Sequence, residues 1–211
     1  MLKLWGRASS INVQKVLWTL GEIDVPFEHI EVGGRFGGLD TAEFLAMNPH
    51  GRIPVIEDGG RALWESNAIV RYLCARYAPG LLSPEDPASR AECDQWMDWE
   101  TNTLQPAFMG YFWGWYRTPE PERDAGRNAT LLAASHAAFS VLDAELVAKN
   151  PNRLTMGDIP MGTLLYRYFT LEIDRPRHSR LEAWYEALCA REAYRDAVMQ
   201  PYDELKGRLA F

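Results

Sequence analysis

A proline inside an apparent strand is the feature that most constrains this chain. Residues 47–60 carry the β-branched Ile53, Val55 and Ile56, then turn chemistry at Asp58-Gly59-Gly60. A second short apolar run, residues 61–64, follows at once, and two such runs around a glycine turn predict a β-hairpin. Pro54 interrupts the first run. Proline has no N–H for a sheet ladder, so it belongs at an edge, a strand start or a bulge. An X-Pro bond also admits the cis form, which other residues rarely adopt. A cis Ile53–Pro54 bond turns the backbone of Ile53 outward, where its N–H and C=O can pair with something outside the sheet.

Around this hairpin the pattern alternates between strand and helix. Residues 2–5 form a short strand candidate, and residues 11–21 place Val13, Val16, Leu17 and Leu20 at helical spacing. Val25-Pro26 closes that unit, and residues 27–32 are a second strand candidate. Residues 33–40 are a glycine-rich loop, and residues 41–47 are at most a short, irregular helix. After the hairpin, residues 66–77 read as a helix with Ile69 and Leu73 on one face. The order β-α-β-α-β-β-α predicts a parallel βαβ unit followed by a hairpin plus helix.

Residues 78–87 contain three prolines and a glycine, a composition that ends helices. Beyond them the pattern predicts helices only. Two long ones cover 87–116 and 122–149, the second through Leu131, Ser135, Phe139, Leu142 and Leu146. Shorter ones cover 156–172, 178–189 and 192–199. The predicted organisation is a small α/β domain over 1–78 and an all-helical domain over 86–211.

Composition narrows the function classes. The 22 basic and 29 acidic residues leave a net charge of −7, which argues against a nucleic-acid binder. Cys74, Cys93 and Cys189 are far apart, odd in number and without metal-ligand spacing. They read as reduced thiols in a cytoplasmic chain, with no functional role and no metal. No apolar run is long enough to cross a bilayer, and the first residues lack the apolar segment of a secretion signal. The expectation is a cytoplasmic protein with no membrane partner.

The hairpin and the helix after it carry a specific pattern: Asn48, Pro49, Gly51, Ile53, Pro54 and Asp58, then Leu63, Glu65, Ser66, Ala68, Ile69, Tyr72 and Leu73. Over nearly its whole length the chain resembles the cytosolic glutathione transferases, and among them the bacterial serine-type enzymes related to the theta, phi and zeta classes. The resemblance implies a thioredoxin-like N-terminal domain that binds glutathione and an all-α C-terminal domain that contributes the electrophile pocket. It implies detoxification by transfer of glutathione, as co-substrate and without a cofactor, to an electrophilic apolar substrate, and a homodimer. It also implies that Pro54 is cis and that the backbone it exposes pairs with the cysteinyl part of glutathione. The alternative is a non-catalytic glutathione-binding or regulatory protein on the same fold, since fold does not fix function. A glutathione-dependent thiol reductase would want a cysteine near residue 10, where there is none.

Each candidate site residue has a physical rationale. Glu65-Ser66 opens a helix, where unpaired N–H groups and the helix dipole favour an anion. A carboxylate there takes the Ser66 hydroxyl while Glu65 faces an ammonium; the plain alternative is Ser66 as an ordinary N-cap. With the resemblance, this becomes the γ-glutamyl site. Residues 9–15 join the first strand to the first helix, and hydrogen-bond donors at a helix start lower a thiol pKa from about 8.5. Counting back from Val16 and Leu17, the family's catalytic serine falls on Ser10, which donates to the sulfur and is not itself a nucleophile. Ser9 and Asn12 stay open as the sulfur contact, and all three as caps.

Arg52, just before Ile53, suits the glycyl carboxylate. Leu39 and Asp40 stand where related enzymes place His or Lys, so Arg35 is a substitute or else a solvated loop residue. In the second half, Thr155 as N-cap with Asp158 at N3 resembles a capping box, with Leu154 stapled to Ile159 and a structural role. Pro160 removes one helical N–H near that start. Phe108, Phe112 and Trp115 share a helix face and either line an apolar pocket for the electrophile or pack the core.

Overall fold

The structure, a computed structural model, describes residues 1–146 and 153–209. The chain divides into two compact units. Of the described residues, the first comprises Met1–Ala91 with Glu192–Gln200, and the second those within Glu92–Arg191 together with 201–209. The division falls after Ala91, beyond the proline-rich segment 78–87, and the helix near 192–199 belongs with the first unit.

The first unit is built on four short strands, β1 (Leu2–Trp5), β2 (Phe27–Ile30), β3 (Val55–Asp58) and β4 (Arg61–Trp64). Their order in the sheet is β2-β1-β3-β4. β1 runs parallel to β2, with Leu2 opposite Phe27, and antiparallel to β3, with Leu4 opposite Ile56. The hairpin pairs Val55 with Trp64 and Asp58 with Arg61. Its turn residues, Gly59 and Gly60, have φ of 58° and 82°, the left-handed conformation that a tight hairpin needs and glycine adopts without cost. The sheet is the mixed thioredoxin-like arrangement.

Helices α1 (Ile11–Glu22) and α3 (Ser66–Tyr77) supply Val13, Val16, Leu20, Ile69 and Leu73 to a core shared with Leu2, Leu4 and Ile56. A second face of α1 is also covered, by the last helix of the chain, Glu192–Val198. A Cβ on Gly21 would lie only 2.9 Å from the Cβ of Ala193, so two small residues let the helices approach closely. Trp18 and Tyr194, both fully buried, meet edge to face at 4.8 Å, and Trp18 Nε1 donates to Glu22 Oε1 at 2.8 Å. This packing is why the helix joins the first unit.

Two local readings differ from expectation. Helix α2 (Ala42–Met47) is regular rather than irregular, because Thr41 caps it by accepting from the Phe44 N–H at 3.2 Å and Phe44 is buried. The second strand stops at Ile30 instead of residue 32, and the chain turns where Gly33 N–H donates to Gly37 C=O at 2.7 Å.

The described residues of the second unit are helical, apart from short turns and connections. Helix α4 (Pro87–Trp99) continues through a wide turn at 100–104 into α5 (Gln105–Tyr111) and a second wide turn at 112–117. The expected helix over 87–116 is thus one run with two π-type turns. Pro106 follows the first and has no N–H to close a regular turn. In the second, the Gly114 carbonyl accepts from Asn128 Nδ2 at 3.0 Å, and Thr118 N–H reaches back five residues to Trp113. Helix α6 (Ala125–Glu145) begins later than residue 122, because Asp124 caps it through the Arg127 N–H at 2.9 Å. Residues 147–149 of the expected helix lie outside the described residues.

Helices α7 (Asp158–Thr170), α8 (Ser179–Cys189) and α9 (Glu192–Val198) follow. Before α7, Thr155 N–H and the Thr155 hydroxyl both donate to Asp158 Oδ2, at 2.8 and 2.7 Å, while Asp158 N–H bonds the Thr155 carbonyl. Gly157, not Thr155, is the N-cap of α7, and Asp158 is its first residue rather than N3. Both Thr155 donors therefore end on the Asp158 carboxylate, whereas in the expected box the hydroxyl accepts from the helix. Pro160 sits in the first turn of α7, where N–H groups have no intrahelical partner in any case. No described helix is long and apolar enough to cross a membrane.

Candidate active site

A cleft of about 380 Å³ opens in the first unit, where the residues before β3 meet the first turns of α1 and α3. The Ile53–Pro54 bond at its wall is cis. Among the described residues no backbone hydrogen bond engages the Ile53 N–H or C=O. The Ile53 backbone is therefore an open edge bordering the cleft.

Glu65 enters α3 with φ 69° and ψ 110°, a conformation that non-glycine residues rarely adopt. Such an outlier costs on the order of 1–3 kcal/mol and persists only where its surroundings hold it. Its carbonyl accepts the Ile69 N–H at 2.9 Å, but its side chain makes no cap and is exposed at the cleft. Ser66, 8% exposed, donates to Asn12 Oδ1 at 3.4 Å. Asn12 lines the cleft from the first turn of α1.

Ser10 is the N-cap of α1 in backbone terms, with its carbonyl accepting the Gln14 N–H at 2.9 Å, yet its hydroxyl makes no capping bond. The neighbouring Ser9 hydroxyl accepts from Arg7 Nη1 at 3.0 Å. Ser10 stands next to the cleft in sequence but does not line it. The loop that carries it passes close to Ile53. A Cβ on Gly6, whose φ is 150°, would lie 3.2 Å from the Ile53 Cβ and 2.5 Å from Val13 Cγ2. His29 Nε2 holds the same turn by donating to the Gly6 carbonyl at 2.7 Å.

Arg52 lines the cleft with an exposed side chain. Arg35 does not reach it; its guanidinium lies over the Phe36 ring, 4.7 Å from the centroid. Two lining residues, His50 and Trp64, escaped the sequence reading, and Asn48, named there only as part of the motif, lines the cleft as well. Asn48 is 2% exposed and bonds within its own loop, and the His50 and Trp64 rings meet edge to face at 5.1 Å. The signal available was Asn48 beside Pro49, a pair that favours a side-chain-closed turn.

The cleft thus combines a guanidinium, a carboxylate, a helix start whose first N–H groups have no intrahelical partner, and an open backbone edge. That set complements an extended peptide bearing both charges. Among the described residues no group of three His, Cys, Asp or Glu side chains is arranged to hold a metal.

The three aromatic candidates separate. Phe108 and Phe112 are fully buried. Phe108 packs on Phe139 and Tyr168 with centroids at 5.5 and 5.8 Å, and Phe112 on Tyr116 and Tyr202 at 5.0 and 5.6 Å. These two are core side chains that present no surface to a ligand, and the burial that surrounds them pushes the Tyr168 hydroxyl up to about 12. Trp115, 39% exposed, lines a cavity of about 590 Å³ in the second unit together with Tyr116, Tyr166 and Tyr202.

Residues 4–84 match the family model described as Glutathione S-transferase, N-terminal domain. Glutathione S-transferase GstB of Escherichia coli is 42% identical over 206 residues, covering 95% of this chain and 99% of its own. Glutathione S-transferase 3 of Zea mays is 30% identical, covering 93% of each chain. Among solved structures, the theta class glutathione S-transferase from the citrus canker pathogen Xanthomonas axonopodis pv. citri, crystallised with glutathione bound, superposes with a TM-score of 0.89. It is 48% identical and covers 95% of this chain and 98% of its own. An end-to-end match at these identities, on a chain with this sheet and this cleft, makes the protein a member of the glutathione S-transferase family.

Proposed function

We propose that this protein is a glutathione S-transferase that joins the thiolate of glutathione to an electrophilic, apolar substrate, with glutathione as co-substrate and no cofactor. The observation that carries the site assignment is the entry to α3. There a strained, uncapped Glu65 and the Ser66 hydroxyl stand at a helix start on the same cleft as the open Ile53 edge. In this reading the γ-glutamyl carboxylate takes the Ser66 hydroxyl and the first N–H groups of α3, and Glu65 pairs with the γ-glutamyl ammonium. Ile53 pairs its N–H and C=O with the cysteinyl residue, and Arg52 faces the glycyl carboxylate.

Ser10 donates its hydroxyl to the sulfur. Its freedom from capping supports this role. Lowering a bound thiol by one pKa unit requires about 1.4 kcal/mol, which one charge-assisted hydrogen bond supplies. Phe108 and Phe112 are packed in the core and leave the electrophile pocket unassigned, since the cavity at Trp115 carries Glu120, Arg123, Glu172, Asp203 and Lys206 beside its aromatic rings. The protein works as a two-fold homodimer in the cytoplasm, in detoxification.

Retention on a glutathione resin together with turnover of a generic aromatic chloride tests the assignment. Retention without turnover would move it to a glutathione-binding protein. Loss of both would remove glutathione from its function.

A further inference from the structure

We infer that Asn48 is a positioning residue that sets the direction of the Ile53 N–H donor; this rests on the reading of Ile53 as the contact for the cysteinyl residue. Asn48 is 2% exposed, so its side-chain amide must be satisfied inside the protein. Asn48 Nδ2 donates to the Arg52 carbonyl at 2.7 Å, and Asn48 Oδ1 accepts from the His50 N–H at 3.1 Å. The Asn48 carbonyl takes the Gly51 N–H at 3.0 Å, and Gly51 has φ of 60°, so the five residues close on themselves. One side chain therefore holds both ends of the loop.

The consequence follows from peptide geometry. The Arg52 carbonyl and the Ile53 N–H belong to one planar unit, and that unit is trans, so the two groups point in opposite directions. Anchoring the carbonyl on Asn48 aims the N–H away from Asn48 and prevents the unit from rotating. The Ile53 N–H makes no backbone bond among the described residues, so nothing on its own side orients it. The Asn48 amide does so from the opposite edge of the same plane. An N–H fixed before the ligand arrives binds without the cost of ordering it on contact.

The test separates positioning from simple stability. Asn48→Ala removes both side-chain bonds. Asn48→Asp keeps the size and the acceptor for His50 but cannot donate to the Arg52 carbonyl. Both variants are expected to raise the dissociation constant and KM for glutathione roughly fivefold to tenfold, the loss of one or two neutral hydrogen bonds. The KM for the aromatic chloride and the ultraviolet-read pKa of the bound thiol should stay at wild-type values. An Asn48→Asp variant with unchanged affinity for glutathione would overturn the inference, as would equal changes in both KM values that track melting temperature. Failure of both variants to fold would make Asn48 a folding residue and overturn it as well. A wild-type protein that does not bind glutathione would instead remove the reading beneath it, and that titration is separate.

Discussion

The Ser66 hydroxyl donates to the Asn12 side-chain carbonyl at 3.4 Å, linking the first turn of α3 to the first turn of α1 across 54 residues of sequence. Both turns carry N–H groups with no intrahelical partner. A hydrogen bond of this length is weak, so an incoming carboxylate can recruit the Ser66 hydroxyl at little cost. The pair thus closes the site without filling it.

The γ-glutamyl end gives the most direct binding prediction. Glu65 is exposed at the cleft, and its backbone is already held in the conformation that presents it. Glu65→Ala should weaken glutathione binding more than tenfold, since losing a charge-assisted contact costs about 1.5–3 kcal/mol. Calorimetric titration measures this, and an unchanged dissociation constant would sink the assignment.

Much of the first unit was legible because its signals are local. Val13, Val16 and Leu20 announce α1 by spacing, and the Gly59-Gly60 turn announces the hairpin. The cleft residues Ile53, Glu65 and Ser66 sit in one contiguous motif. What escaped depends on partners distant in sequence. The wide turn at Gly114 involves Asn128, and the attachment of α9 to the first unit depends on Gly21 meeting Ala193. Phe108, Phe112 and Trp115 share a helix face, and only the rings of Phe139, Tyr168 and Tyr202 decide which of them are buried. Asn48 acts through backbone groups, and composition carries no trace of that.

A packing prediction concerns Gly157, just before α7. A Cβ there would lie 3.0 Å from Cys93 Cα and 3.1 Å from the Cys93 carbonyl oxygen. Both neighbours are backbone atoms and cannot swing aside. Gly157→Ala should cost about 1–3 kcal/mol, the range for overpacking a filled interior. A melting temperature equal to wild type would show that α4 and the turn before α7 separate freely.

Acid sensitivity should arise at His136 on α6. Burial holds its pKa below the ordinary value, and the nearby His178 adds to this. Arg175 acts in the same direction and Asp174 opposes it. The unfolded chain therefore takes up the proton first as pH falls. Stability is fully present above about pH 6.5 and declines below it until the folded protein also protonates. Urea titrations between pH 8 and pH 5 should show this decline, and His136→Gln should flatten it. Identical slopes for the two proteins would exclude His136 as the source.

Assembly is a separate matter. If the family's two-fold dimer holds here, light scattering at micromolar concentration should report twice the chain mass of 24.0 kDa. A monomer that still turns over substrate would count against it.

The mechanistic prediction rests on Ser10. Its backbone caps α1 while its hydroxyl makes no capping bond, which leaves that hydroxyl uncommitted for the proposed donation to the sulfur of bound glutathione. If it donates to the thiolate, Ser10→Ala should raise the pKa of bound glutathione. The rate should then fall more near neutral pH than at high pH, where the thiol ionises unaided. Binding should change little, because the γ-glutamyl and backbone contacts remain. The thiolate absorbs in the ultraviolet, so titrating the complex reads its pKa directly. Should Ser10→Ala leave titration and turnover intact while Ser9→Ala or Asn12→Ala shifts them, the sulfur lies beside a different residue of this turn. Ser9 is the weaker rival, since Arg7 already engages its hydroxyl. If none of the three variants matters, backbone N–H groups and the dipole of α1 must hold the thiolate alone.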